Sequence, residues 1–146
     1  MGKYFKYYYL IFISIIFFQS GIFGQSYGQI ISSSKADSLF GSVITSINLP
    51  NDSLQKFIGE TDNHLMFKIN NDSLFVLDNN RQALHPAGIT VSNEQTFTVY
   101  EIQKLIQLMN MGEKNINLVQ LRKNVLTITN GLYTMEFGTI CPPICD

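Results

Sequence analysis

The sequence predicts an α+β domain in which helices pack on one face of an antiparallel sheet, built from a hairpin over about 64–78 and a three-stranded meander over about 116–138. Three observations carry that expectation. Apolar and polar residues alternate from His64 and again from Ile116, the period of strands. The pairs Asn71-Asp72 and Asn130-Gly131 interrupt those runs where a two-residue turn belongs. Apolar residues also recur at helical spacing after Thr98.

The first 18 residues hold Lys3, Lys6 and no acid, and end in a 12-residue apolar run from Tyr7 to Phe18. That run is shorter than the roughly 20 residues of a membrane-spanning helix, and it breaks at Gln19-Ser20-Gly21 before the small residue Gly24, the pattern of a secretory signal peptide. Cleavage is expected after Gly24, with Gly28 as the second candidate; neither site is followed by cysteine. The membrane enters only through this segment before cleavage, and the expected location is exported, either periplasmic or extracellular. Losing 1–24 removes Lys3 and Lys6 and no acid, so the formal charge falls from −1 to −3.

The segment 25–33 is rich in Ser, Gly and Gln and reads as a flexible leader to a single domain over 34–140. Ser34 with Asp37 three residues on predicts a helix start, and Leu39, Phe40, Val43, Ile44 and Ile47 share a helical face. A short helical turn is expected over 55–58, stopped by Gly59. In the 64–78 hairpin, a turn at Asn71-Asp72 pairs Ile69 with Leu74 and Phe67 with Val76 on one face. It pairs Lys68 with Phe75 and Met66 with Leu77 on the other, which is apolar enough to predict a cover on both sides. In the polar stretch that follows, only Ile89-Thr90-Val91 has strand character. Thr98 with Glu101 matches a capping box, and Val99, Ile102, Leu105, Ile106 and Met109 predict a helix over 99–110, stopped by Gly112.

The meander is expected as strands over 116–122, 125–129 and 132–137. A turn at Asn130-Gly131 pairs Ile128 with Tyr133 and Leu126 with Met135 on an apolar face. Thr127 with Thr134 and Val125 with Glu136 then form a polar face, expected to be wet.

Composition excludes some classes. Hydrophobic residues at 45% and charged ones at 14% are incompatible with intrinsic disorder. Ten basic against 11 acidic side chains, without a run of like charge, provide no field for nucleic acid. The most distinctive chemistry lies in the 141–146 tail, where Cys141 and Cys145 are expected to form a local disulfide in an exported chain. Cys141-Pro142-Pro143-Ile144-Cys145 also resembles the Cys-Pro-x-x-Cys loop of the Sco copper chaperones. In that family the loop joins a strand to a helix of a thioredoxin-like fold, and a histidine follows far downstream; the likeness here covers five residues. It implies copper held by thiolates, with His64, Met66, Met109 or Met111 as soft or imidazole partners.

His64 and His85 are the only histidines, and no nucleophile-elbow or zinc-protease pattern occurs. The acids fall mostly in caps and turns. The expected function is therefore a small exported, non-enzymatic binding or accessory module without cofactor, whose partner is an unknown protein or small-molecule ligand. The alternatives are a thiol or copper-type protein using Cys141 and Cys145, and a small secreted enzyme with an unrecognised site.

Overall fold

The computed structural model describes residues 28–112, 114–123, 125–136 and 138–141. The expected signal peptide over 1–24, Cys145 and hence the Cys141–Cys145 disulfide lie outside the described residues. In chain order the elements are β1 (Gln29–Ser32), α1 (Ser33–Phe40), β2 (Val43–Pro50), α2 (Asn51–Gly59), β3 (His64–Asn70), β4 (Ser73–Leu77) and β5 (Ala83–His85). They continue as β6 (Phe97–Glu101), α3 (Ile102–Gly112), β7 (Ile116–Arg122), β8 (Val125–Asn130), β9 (Tyr133–Glu136) and β10 (Thr139–Cys141).

The fold is α+β and mostly strand, with two antiparallel five-stranded sheets where one was expected. The meander sheet has the order β1-β9-β8-β7-β2 and the hairpin sheet the order β10-β6-β3-β4-β5. Their facing sides share one core, formed by Leu65, Phe67, Val76 and Tyr100 from the hairpin sheet and Leu49, Val119, Ile128 and Met135 from the meander sheet. Each fully buried side chain of this size contributes roughly 1.5–3 kcal/mol. Tyr100 also spans the gap, its hydroxyl donating to the Leu126 carbonyl at 2.5 Å.

The helices do not share one face, which corrects the expected layering. Leu105, Leu108 and Met109 of α3, with Leu54 and Phe57 of α2, enter the core between the sheets. Helix α1 lies on the opposite side of the meander sheet, where Ser33 meets Thr134 and Asp37 meets Arg122. Because strand side chains alternate, Thr134 and Arg122 point away from the face that carries Met135 and Val119.

The β3–β4 hairpin pairs as expected: Ile69 with Leu74, Lys68 with Phe75, Phe67 with Val76 and Met66 with Leu77. Asn71 and Asp72 have φ of 48° and 57°, the two positive values of a type I′ turn. Its outer face is indeed covered. Met66, Leu77, Phe97 and Val99 form a second apolar cluster. Arg81 donates to the carbonyls of Ser92 and Gln95, drawing the following loop over that cluster.

Elsewhere helix and strand periods competed. The helix expected from Ser34 starts at Ser33, capped by Ser32, and stops at Gly41, whose φ of 79° suits glycine. Val43, Ile44, Thr45 and Ile47 then build strand β2, because β-branched residues pack better on a pleated surface. The helical turn expected over 55–58 begins earlier, at Asn51, with Asp52 favourably placed in its first turn. Val99 and Tyr100 belong to β6 rather than to a helix: Phe97, Thr98, Val99 and Tyr100 alternate faces, and β6 pairs with β3 from Thr98 to Glu101. Helix α3 starts only at Ile102, whose N–H donates to the Asn63 carbonyl. The short strand is Ala83–His85 and not 89–91. Gln29–Ser32, within the stretch expected as a leader, pairs with β9.

The meander strands fall where expected, but the last hairpin is shifted by two. Asn130 pairs with Tyr133, Thr129 with Thr134 and Ile128 with Met135, so the turn residues are Gly131 and Leu132. Gly131 has φ of 59° at the first central position, the glycine site of a type II′ turn. A two-residue shift preserves both faces, so the apolar assignment survives.

Candidate functional site

A cleft of about 360 Å³ opens between the two sheets where β2, an edge of the meander sheet, approaches the β3–β4 turn and the end of β5. Its apolar wall comes from Ile47 and Leu49 on β2, Phe57 on α2, Leu74 on β4, and Pro86. Each wall residue is positioned by ordinary packing: Leu49, Phe57 and Leu74 are core members whose outer surfaces line the opening. The rim is polar, with Asn48, Ser53, Ser73, Asp72 and His85. Among the described residues Asp72 is the only carboxylate of the lining, which includes no lysine or arginine. The His85 ring stands 6.3 Å from that of Phe57, tilted by 40°. The volume falls within the range of pockets that hold small molecules or single side chains. A second opening of about 170 Å³, bounded by Lys68, Phe97, Leu121 and Leu126, is smaller and more open.

The polar face expected to be wet is instead buried beneath α1. Ser33, Thr134, Thr129 and Gln120 form a chain of hydroxyl and amide hydrogen bonds of 2.8–3.0 Å. Arg122, 2% exposed, extends it to Thr127, to the Gly41 carbonyl at 2.9 Å and to Asp37 in an ion pair. Glu136 ends this face, opposite Gln29 of β1. It is 0% exposed, and neither carboxylate oxygen has a hydrogen-bond partner among the described residues. Burial pushes its carboxyl up to about 7, against the opposing pull of the Lys35 charge. Burial also raises the Tyr100 hydroxyl, with the Glu136 charge adding to the effect.

A third polar group closes one end of the molecule. Asn130 donates to the Lys114 carbonyl and to Asn117, and Asn117 donates to Asn51 at 2.7 Å. Asn51 in turn donates to Lys114, which ties the α3–β7 loop to the β2–α2 corner. These amides satisfy loop backbone that lies against the core.

The residues singled out in the sequence are dispersed. Cys141 lies in β10 with its backbone opposite Phe97. His64 begins β3 opposite Glu101, on the outward side with Met66, whereas His85 faces the cleft. The His64 imidazole is shifted down by burial, partly offset by the Asp78 carboxylate, and its buried Nε2 has no hydrogen-bond partner among the described residues. Met109 belongs to the main core and Met111 is exposed, so His64, Met66, Met109 and Met111 are not brought together. Among the described residues there is no group of three or more His, Cys, Asp or Glu side chains placed to hold a metal ion. No described helix is long and apolar enough to cross a membrane. The cleft escaped sequence reading because four separate segments build it and none carries a motif. Comparison of the chain with protein-family models, curated proteins and solved structures found no match.

Proposed function

We propose that this protein is a small exported binding module that seats an apolar group in the cleft between its sheets. The observation that carries the reading is the cleft itself, about 360 Å³ with an apolar wall and a narrow polar rim. Such a lining releases water at little polar desolvation, while Asn48, Ser53, Asp72 and His85 orient what enters. Export rests on the basic start, the 12-residue apolar run and the small residues around Gly24.

The test of binding is titration of the purified protein with the neutral fluorophore N-phenyl-1-naphthylamine. Saturable, equimolar enhancement is expected, and Ser53→Trp, which fills the cleft from its rim, should abolish it. Enhancement that never saturates, or that survives in Ser53→Trp, would refute the assignment. The test of export is the intact mass of protein recovered outside the cytoplasm, expected to lack residues 1–24; full-length protein retained in the inner membrane would overturn it.

A further inference from the structure

The strand that forms one wall of the cleft is also an edge. Among the described residues β2 pairs only with β7, so its other side presents a row of backbone donors and acceptors. The remaining edges are short: β1 has four residues, and β5 and β10 have three each. Strand β2 has eight, and the usual protection is confined to its two ends. It has no charged side chain; its register irregularity lies at the start, between Val43 and Thr45, and its proline is the last residue. Ile44 on this strand is 65% exposed.

We propose that β2 is an acceptor edge on which an extended peptide adds as a sixth strand of the meander sheet. This rests on the reading of the cleft as a binding site. An added strand runs along the cleft mouth, because Ile47, Asn48, Leu49 and Pro50 belong both to the edge and to the lining. Its alternate side chains point inward about 7 Å apart, so one apolar side chain occupies the cleft and the next inward residue reaches the rim. Charge selects the partner. Asp72 stands at that rim with no lysine or arginine in the lining, which favours a peptide with a basic residue beside its apolar anchor. A second copy of this chain fits less well, since β2 itself contains no basic side chain to meet Asp72.

The experiment titrates the isotope-labelled protein with acetyl-Thr-Val-Thr-Lys-Thr-Val-amide, whose lysine lies two residues from a valine on the same face, and with its Lys→Glu counterpart, following backbone amide shifts and hydrogen exchange. The expected result is slowed exchange confined to 43–50 and shifts around Asp72, with the lysine peptide binding at least five-fold more tightly. Asp72→Asn, which also tolerates a positive φ, should erase that preference. Equal affinity for the two peptides, shifts away from β2, or a dimer whose β2 amides are already protected without peptide would each overturn the proposal. If N-phenyl-1-naphthylamine enters the cleft but neither peptide binds, strand addition is refuted and the cleft reading stands. If neither fluorophore nor peptide binds, both are refuted.

Discussion

Replacing Glu136 by glutamine should stabilise the protein at alkaline pH and change little at acid pH. The carboxyl lies on the buried outer face of the meander sheet, 0% exposed, with both oxygens unpaired among the described residues. Burial raises it to about 7 from a usual value of 4.5. Between those values the folded state holds a proton that the unfolded chain releases. This group's contribution is therefore most favourable below about pH 4.5, declines as pH rises and is fully unfavourable above about pH 7. A shift of that size corresponds to about 3 kcal/mol.

Glu136→Gln keeps the shape and removes the charge. Urea unfolding of parent and variant at pH 4.5 and pH 8.5 should show the variant gaining up to about 3 kcal/mol at the higher pH and nearly nothing at the lower. The difference between the two proteins is the informative quantity, because His64 acts oppositely. Its lowered value means stability lost as pH falls through the His64 range, and that contribution cancels in the comparison. Lys35→Met should enlarge the gap by removing the charge that favours ionised Glu136. A difference that is constant with pH, or a Gln variant less stable at pH 8.5, would refute the argument.

Gly131→Val should lower stability by about 1–3 kcal/mol, because φ is 59° there and a Cβ would stand 2.5 Å from the Gly112 carbonyl oxygen; an unchanged urea midpoint would refute it. Arg122→Ala should lose about 3 kcal/mol by leaving Gln120, Thr127 and the Gly41 carbonyl without their shared donor. Hydrogen exchange should then accelerate first in α1, and protection there equal to the parent's would count against the role assigned to Arg122. Tyr100→Phe should cost about 1 kcal/mol through loss of the 2.5 Å bond to Leu126, read as a drop in unfolding midpoint at unchanged slope.

What was legible in the sequence was local. The β3–β4 hairpin could be read to the residue pair because Asn71-Asp72 fixes its turn and the two flanking runs alternate. The faces of the β8–β9 hairpin were also correct, since its register differs by an even step. Boundaries failed where one set of residues satisfied two periods. Phe40, Val43, Ile44 and Ile47 fit a helical face, yet Gly41 divides them between α1 and β2. Thr98 and Glu101 imitate a capping box, while Phe97 and Val99 alternate with Thr98 and Tyr100 as a strand. Burial of Glu136 and assembly of the cleft depend on contacts between distant segments. A polar face looks wet in sequence until α1 covers it, and Ile47, Phe57, Asp72 and His85 share no pattern that would mark them as neighbours.

The strand order of the meander sheet has a kinetic consequence. Both edges, β1 and β2, come from the beginning of the described chain, and both pair with strands from its end: Ile30 with Met135, and Ile47 with Val119. Closing such loops before any contact rewards them makes folding slow, in the range of milliseconds to seconds for sheets of high contact order. On a ribosome, β2 must wait for β7 and β1 for β9, so a nascent chain ending anywhere before residue 116 has no partner for either edge. The β3–β4 hairpin and its pairings with β5 and β6 are available earlier. The meander sheet, and with it both of its edges, therefore closes only when synthesis is almost complete.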